Sequence, residues 1–179
     1  MLTGTTNEER IWNYLTAAGL NACGAAGLMG NLYAESALNP RNLQNSYEKS
    51  LGYTDAAYTA AVDAGTYTNF VHDSAGYGLA QWTYWSRKQN LLDYAKSTGR
   101  SICDLNMQLE FLVKELSSYG LLPSLKTVTS VREASNIILL QFEKPASMNT
   151  EATQNKRAGY AQTYYDQFAN TATEKGDGG

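Results

Sequence analysis

Thirty consecutive residues, from Ile11 to Pro40, carry a single charged side chain, Glu35. A helix with no charge around most of its circumference belongs in a core rather than at a surface. Leu28, Leu32 and Glu35 recur at near-helical spacing, and the run ends before Asn39-Pro40, where the residue preceding proline is driven out of the α region. The sequence therefore predicts a helix over Leu20 to Ser36. Gly24, Gly27 and Gly30 within it each cost about 1 kcal/mol relative to alanine. That loss is tolerable where another backbone comes close, so this is expected to be a buried central helix. A capped helix precedes it: Thr6 and Glu9 have capping-box spacing, Ile11, Leu15 and Ala18 share a face, and Gly19 is the stop.

Further along, residues 41–75 are rich in Asn, Tyr, Gly, Thr and Ser and read as an irregular lobe. One short helix, Asp55 to Ala64, is closed there by Gly65. Tyr67 to Val71 and Tyr77 to Thr83 are expected to be short strands joined by a turn at His72 to Gly76. Helices are expected again over Trp85 to Ser97, Asp104 to Ser118, Val131 to Phe142 behind a Ser130/Glu133 capping box, and Gln154 to Asn170. Phe111, Leu112 and Leu116 and the run Ile137 to Leu140 are assigned to the core, and the basic pairs Arg87-Lys88 and Lys156-Arg157 to solvated helix faces. Residues 1–172 read as one domain, and 173–179, Thr-Glu-Lys-Gly-Asp-Gly-Gly, as a linker-like tail leading to a further module.

Composition narrows the function. Charged residues make up 17% and the net charge is −3, the wrong balance for a phosphate-binding groove, so no nucleic-acid partner is expected. No apolar run approaches the roughly 18 residues of a membrane span. Met1 to Arg10 lacks the basic-then-apolar order of a secretory signal. Cys23 and Cys103 form neither a disulfide framework nor a CxxC site and are expected to be two buried thiols. With His72 the single histidine, no metal and no cofactor are expected.

The chemistry centres on Glu35. At about 100° per residue, Gly24, Leu28, Asn31 and Leu32 lie within about 60° of its direction. Desolvation and the negative end of the helix dipole both favour the protonated form of an acid so placed, which is the form a general acid needs. The second cluster is His72-Asp73-Ser-Ala-Gly76-Tyr77-Gly78-Leu79-Ala-Gln81-Trp82, whose glycines allow a tight turn close to a ligand. Ser36 has no histidine partner in a spacing that would make it a nucleophile.

Ala-Glu35-Ser36-Ala-Leu-Asn39-Pro40, followed some forty residues later by Gly76-Tyr-Gly78-Leu79-Ala-Gln81, resembles the Glu-Ser…Gly-Leu-x-Gln signature of the lysozyme-like superfamily, with its goose-type lysozymes and lytic transglycosylases. The fuller series is similar to the bacteriophage tail lysozyme family. It adds Gly30-Asn31-Leu32, Trp82-Thr83, Arg87-Lys88, Gln108-Leu-Glu-Phe-Leu, Glu115-Leu116, Phe142-Glu-Lys-Pro145 and Arg157, and runs from about Asn7 to Phe168.

The resemblance implies a mostly α-helical, α+β lysozyme-like fold, with a helical lobe and a small β-hairpin lobe flanking a substrate cleft. It implies a muramidase cutting the β-1,4 bond between N-acetylmuramic acid and N-acetylglucosamine in peptidoglycan, with Glu35 as general acid. Two alternatives stand beside it: a lytic transglycosylase releasing 1,6-anhydro ends, and a non-catalytic wall-binding or phage structural module. The superfamily also works with one essential Glu and a positioned water or the substrate's own groups; a second carboxylate, where used, would lie about 5–5.5 Å away for retention or about 6.5–9.5 Å for inversion. The candidates are Glu48, Asp55, Asp63 and Asp73, with Asp73 preferred although it also suits a turn cap. Gln81 either binds substrate or fixes the hairpin against the Glu35 helix, Tyr77 and Trp82 either stack on sugar or pack, and His72, in the same turn, is a further substrate-binding candidate. Implied partners are peptidoglycan strands, phage tail proteins or a covalently linked second lytic domain, without membrane insertion. The implied location is extracellular or on the virion.

Overall fold

The computed structural model describes residues 2–169. The expected tail 173–179 and the last residue of the helix expected up to Asn170 lie outside them. Helix accounts for 65% of the structure, in two π-helical turns and nine α-helices: α1 Asn7–Ala17, α2 Ala22–Ser36, α3 Asn45–Leu51, α4 Asp55–Ala64, α5 Trp85–Thr98, α6 Leu105–Ser118, α7 Leu122–Thr127, α8 Val131–Ile138 and α9 Glu151–Tyr164. The helices α8 and α9 each run on into a π-helical turn, Leu139–Glu143 and Tyr165–Ala169. No described helix is long and apolar enough to cross a membrane.

The chain divides into two compact units, one built from residues up to Ala34 and from Val113 onward, the other from Glu35–Leu112. In the first unit α1 starts as expected, with the Thr6 hydroxyl accepting from Glu9 N at 3.1 Å. The Glu9 carboxylate reaches back to Thr5 N at 2.9 Å, one residue beyond the ideal box.

Residues 24–32 of α2 are buried throughout, and each glycine admits a different neighbour. A methyl group at Gly24 would stand 2.0 Å from Leu125 O in α7, one at Gly27 would stand 2.5 Å from Ala134 Cβ in α8, and one at Gly30 would stand 2.5 Å from Ala161 N in α9. Three helices thus rest on the backbone of α2, the close approach that the glycine spacing predicted.

Burial overturns the expected solvation for one member of each basic pair, while Lys156 is exposed as expected and Arg87 is partly exposed. Lys88 is fully buried, and Arg157 is 8% exposed with its guanidinium donating to Asn31 Oδ1 at 3.1 Å. Of the run Ile137 to Leu140, only Ile138 and Leu139 are buried, because one helical turn cannot turn four consecutive side chains inward.

The second unit contains α3, which sequence reading placed in irregular chain, and no strand among the described residues. Instead of a hairpin there are two isolated bridges, Leu43 with Tyr77 and Tyr77 with Trp82. The Tyr67 to Val71 segment is turn and loop. Glycines with left-handed backbone, Gly65 and Gly99, close α4 and α5.

Candidate active site

The helix α2 ends on Glu35 and Ser36, and the next two residues, Ala37 and Leu38, both adopt left-handed backbone at φ 54° and 62°. Ser74 and Gln81 do the same, so four of the five non-glycine residues with positive φ among the described residues lie in the Glu35–Leu112 unit. Each costs on the order of 1–3 kcal/mol, and such strain collects where a fixed geometry is needed. Asn39 closes the turn through its side chain, which accepts from Arg41 N at 2.9 Å.

The end of α2 is tied to the Gly76 to Trp82 segment by one buried bond: Ser36 Oγ donates to Leu79 O at 2.8 Å. The other side of Leu79 is held by Gln108, whose Oε1 accepts from Leu79 N at 3.0 Å. The same amide donates to Pro40 O and to Ile102 O, both at 2.7 Å. One buried glutamine therefore stitches together the chain after Glu35, the Gly-rich loop and the start of α6. Gly78 is required here on two counts, a φ of 80° and a hypothetical Cβ only 2.9 Å from Gln108 Nε2.

The loop itself is a tight reversal. Tyr77 N and Trp82 N exchange bonds with each other's carbonyls at 3.1 and 3.0 Å, and Gly78 N donates to Asn42 O at 2.9 Å. Gln81 turns its amide back onto Asn42 O and Gly78 O, at 2.8 and 3.1 Å. These two bonds hold the loop to itself and to Asn42 rather than to the helix that bears Glu35. Tyr77 and Trp82 are fully buried. Tyr77 packs 5.5 Å from Tyr58 and Trp82 lies 5.5 Å from Phe111, so neither ring offers a face to a sugar here.

The exposed aromatic surface of this unit lies elsewhere. Tyr84 is 63% and Trp85 is 49% exposed, at the start of α5. His72, also exposed, stacks on Trp85 with ring centroids 5.9 Å apart at 26°. Sequence reading absorbed Trp85 into a helix pattern. The signal was present in its position three residues after Trp82: if Trp82 faces the core, the first turn of the next helix can present aromatics outward.

Asp73 sits in a buried polar cluster. Its Oδ2 accepts from Tyr58 and Tyr67 hydroxyls at 2.6 and 2.9 Å, and its Oδ1 from Lys88 Nζ and Ala75 N at 2.7 and 3.0 Å. Lys88 Nζ donates also to Ala75 O at 2.7 Å and lies 4.2 Å from the centre of the Phe70 ring. Burial outweighs the carboxylate and lowers the affinity of Lys88 for its proton. Desolvation, with Asp73 adding to it, keeps the Tyr58 and Tyr67 hydroxyls protonated far above the ordinary phenol range. Four donors fill the acceptor positions of the Asp73 carboxylate, among them Ala75 N within the same turn.

Of the other acids, Asp63 accepts from the Ser101 hydroxyl and from Ile102 N. Glu48 and Asp55 share a hydrogen bond that raises the proton affinity of Glu48, and Asp55 also caps Leu43 N at 3.0 Å. Glu35 is half-exposed. Cys23 and Cys103 are free thiols, each only partly buried rather than enclosed. No cluster of three or more His, Cys, Asp or Glu side chains that could hold a metal is found among the described residues.

Glu-Ser at a helix end, latched to a Gly-Tyr-Gly-Leu-Ala-Gln loop in a mostly helical chain, is the arrangement expected of lysozyme-like proteins. The sequence matches the model of the phage tail lysozyme family over residues 6–168, and the chain belongs to that family. A curated relative, morphogenesis protein 1 of Bacillus phage B103, is 27% identical over 184 aligned positions covering 98% of this chain. Those positions cover 41% of the relative, so the chain spans about two fifths of its length.

Proposed function

We propose that the chain is a peptidoglycan glycosidase in which Glu35 protonates the oxygen bridging N-acetylmuramic acid and N-acetylglucosamine. The proton passes to the glycosidic oxygen as the C1–O bond breaks, and water completes the hydrolysis at C1. The observation that carries this reading is the Ser36 to Leu79 bond, which fixes the helix end bearing Glu35 against the Gly-rich loop. Membership of the phage tail lysozyme family supports the wall as substrate and the virion as location.

Asp73 and Asp63 are consumed by structural bonds, so any second carboxylate is drawn from the Glu48–Asp55 pair. Their shared hydrogen bond raises the proton affinity of Glu48. Sugar stacking is assigned to Trp85 and Tyr84 with His72 behind them, in place of Tyr77 and Trp82. Gln81 is given the role of holding the loop.

The decisive experiment is Glu35→Gln, which keeps shape and removes the acid. Wall lysis is expected to fall by about 10²-fold or more, with the melting temperature retained. An undiminished rate overturns the assignment. Mass spectrometry of the fragments decides the chemistry, since 1,6-anhydro ends would mark a transglycosylase. The name of the phage B103 relative favours a second reading, a morphogenetic role in the particle; a folded chain that binds walls without releasing fragments would establish it.

A further inference from the structure

In the first unit, α2 carries a tyrosine on the side away from Glu35. Tyr33 precedes Glu35 by two residues, which separates their directions by about 160° around the helix. It borders a cavity of about 400 Å³ lined also by Glu8, Tyr160, Thr163, Tyr164 and Gln167, large enough for one or two sugar rings. The Tyr33 ring meets Tyr160 edge-on at 4.7 Å and 66°, and Tyr164 at 6.2 Å and 67°. The three tyrosines form a corner in which Tyr164 is buried and Tyr33 stays 39% exposed. Burial first, and then the Glu8 carboxylate, push the Tyr164 hydroxyl up to about 12, so that hydroxyl is a standing hydrogen-bond donor.

We propose that this corner is a second, non-catalytic saccharide site that takes a neutral N-acetylated sugar. Three features select that ligand class. An exposed aromatic ring at the mouth supplies the apolar platform on which the C–H face of a pyranose stacks. Glu8, Thr163 and Gln167 supply neutral and acidic acceptors and donors at the edge, suited to hydroxyl and acetamide groups. The Glu8 carboxylate repels a sugar bearing its own carboxylate, which favours N-acetylglucosamine over N-acetylmuramic acid. A caged ammonium ion fits less well, because the rings touch one another at 4.7 Å and leave no gap for a cation between their faces. The biological source of the sugar, the wall glycan, rests on the function proposed above; the binding itself does not.

The test uses the β-1,4-linked N-acetylglucosamine tetramer and the full chain carrying Glu35→Gln, so that turnover cannot consume the ligand. Titration followed by NMR is expected to move the ring signals of Tyr33 and Tyr160. The affinity read from the Tyr160 ring signal is expected to be about tenfold weaker in Tyr33→Ala, the equivalent of one lost aromatic contact. Thr163→Trp, which fills the cavity from an exposed position, is expected to abolish the same shifts while the melting temperature holds. Tyr84→Ala, in the other unit, is expected to leave them unchanged. Ring signals that stay still up to about 10 mM tetramer, or that move with tetramethylammonium and not with sugar, overturn the proposal. Wall lysis by the unmutated chain is scored separately, so loss of the glycosidase reading and loss of this site are told apart.

Discussion

Lys88 Nζ lies 2.7 Å from Asp73 Oδ1, and the two side chains are 0% and 1% exposed. A pair so placed gains little over an apolar pair of equal volume, but removing one partner strands a charge in low dielectric, at about 3–5 kcal/mol. Asp73→Asn leaves the ammonium without a countercharge, among the neutral acceptors Ala75 O, the Tyr58 hydroxyl and the amide oxygen and beside the Phe70 face. Lys88→Met leaves a carboxylate that still has three donors. Both single variants are expected to lose several kcal/mol in urea unfolding, Asp73→Asn more than Lys88→Met. The double variant is expected to lose less than their sum. Strict additivity would mean the two charges do not interact.

The glycines of α2 and α9 are expected to respond with opposite signs. Gly24→Ala puts a methyl 2.0 Å from a backbone carbonyl, and Gly30→Ala puts one 2.5 Å from a backbone nitrogen. Neither neighbour is a side chain that can swing away. Overpacking of about 1–3 kcal/mol or more outweighs the gain in helix propensity of about 1 kcal/mol. Gly159 in α9 has nothing within 4 Å of its would-be Cβ, so Gly159→Ala is expected to stabilise by about 0.5–1 kcal/mol. Thermal melting of the three variants reads the difference directly.

These contrasts show what a one-dimensional pattern conveys. Helices α1, α2, α4, α5 and α6 were legible because caps, stops and apolar spacing are local, and the glycine cost in α2 announced close neighbours without naming them. The Glu-Ser and Gly-Tyr-Gly-Leu-Ala-Gln motifs were legible as motifs. Their joining through Ser36 and Gln108 was not, because it depends on contacts 43 and 29 residues apart. Alternation in Tyr77 to Thr83 imitated a strand, but left-handed Gly78 and Gln81 fold that segment onto itself. Lys88 was misread because charge alone predicts solvation; only the fold reveals that Asp73 and a ring of aromatics wait to receive it.

Acid stability turns on Glu110. Its carboxylate accepts from the Tyr94 hydroxyl at 2.7 Å, from Arg100 at 3.0 Å and from Asn106 at 2.9 Å. The tyrosine first, and then the arginine, hold it below the ordinary glutamate range. An unfolded chain takes up this proton near pH 4.3 and the folded chain only at lower pH. The contribution is therefore complete above about pH 5 and fades as pH falls through the folded value. Glu110→Gln is expected to melt below the parent at neutral pH, with the gap closing in acid. A gap that is constant from neutral pH to pH 3 would show that the carboxylate charge is not what these partners hold.

Ser36→Ala separates positioning from stability. The substitution removes the hydroxyl that meets Leu79 O at 2.8 Å in a buried setting, and a buried carbonyl that loses its donor costs about 1–3 kcal/mol. In a chain of this size the melting temperature should fall by roughly 2–10 °C. If the bond serves only the fold, a change of similar cost in the other unit, such as Ile138→Val at about 0.5–1.5 kcal/mol, should depress lysis per folded molecule just as little. If the bond sets the angle at which Glu35 leaves α2, Ser36→Ala should cut kcat well below that comparator while leaving KM for wall fragments near the parent's. On the reading that Glu35 is the proton donor and Trp85 a sugar surface, the bond acts on the former and not on the latter, so a change confined to KM would place its role in binding instead.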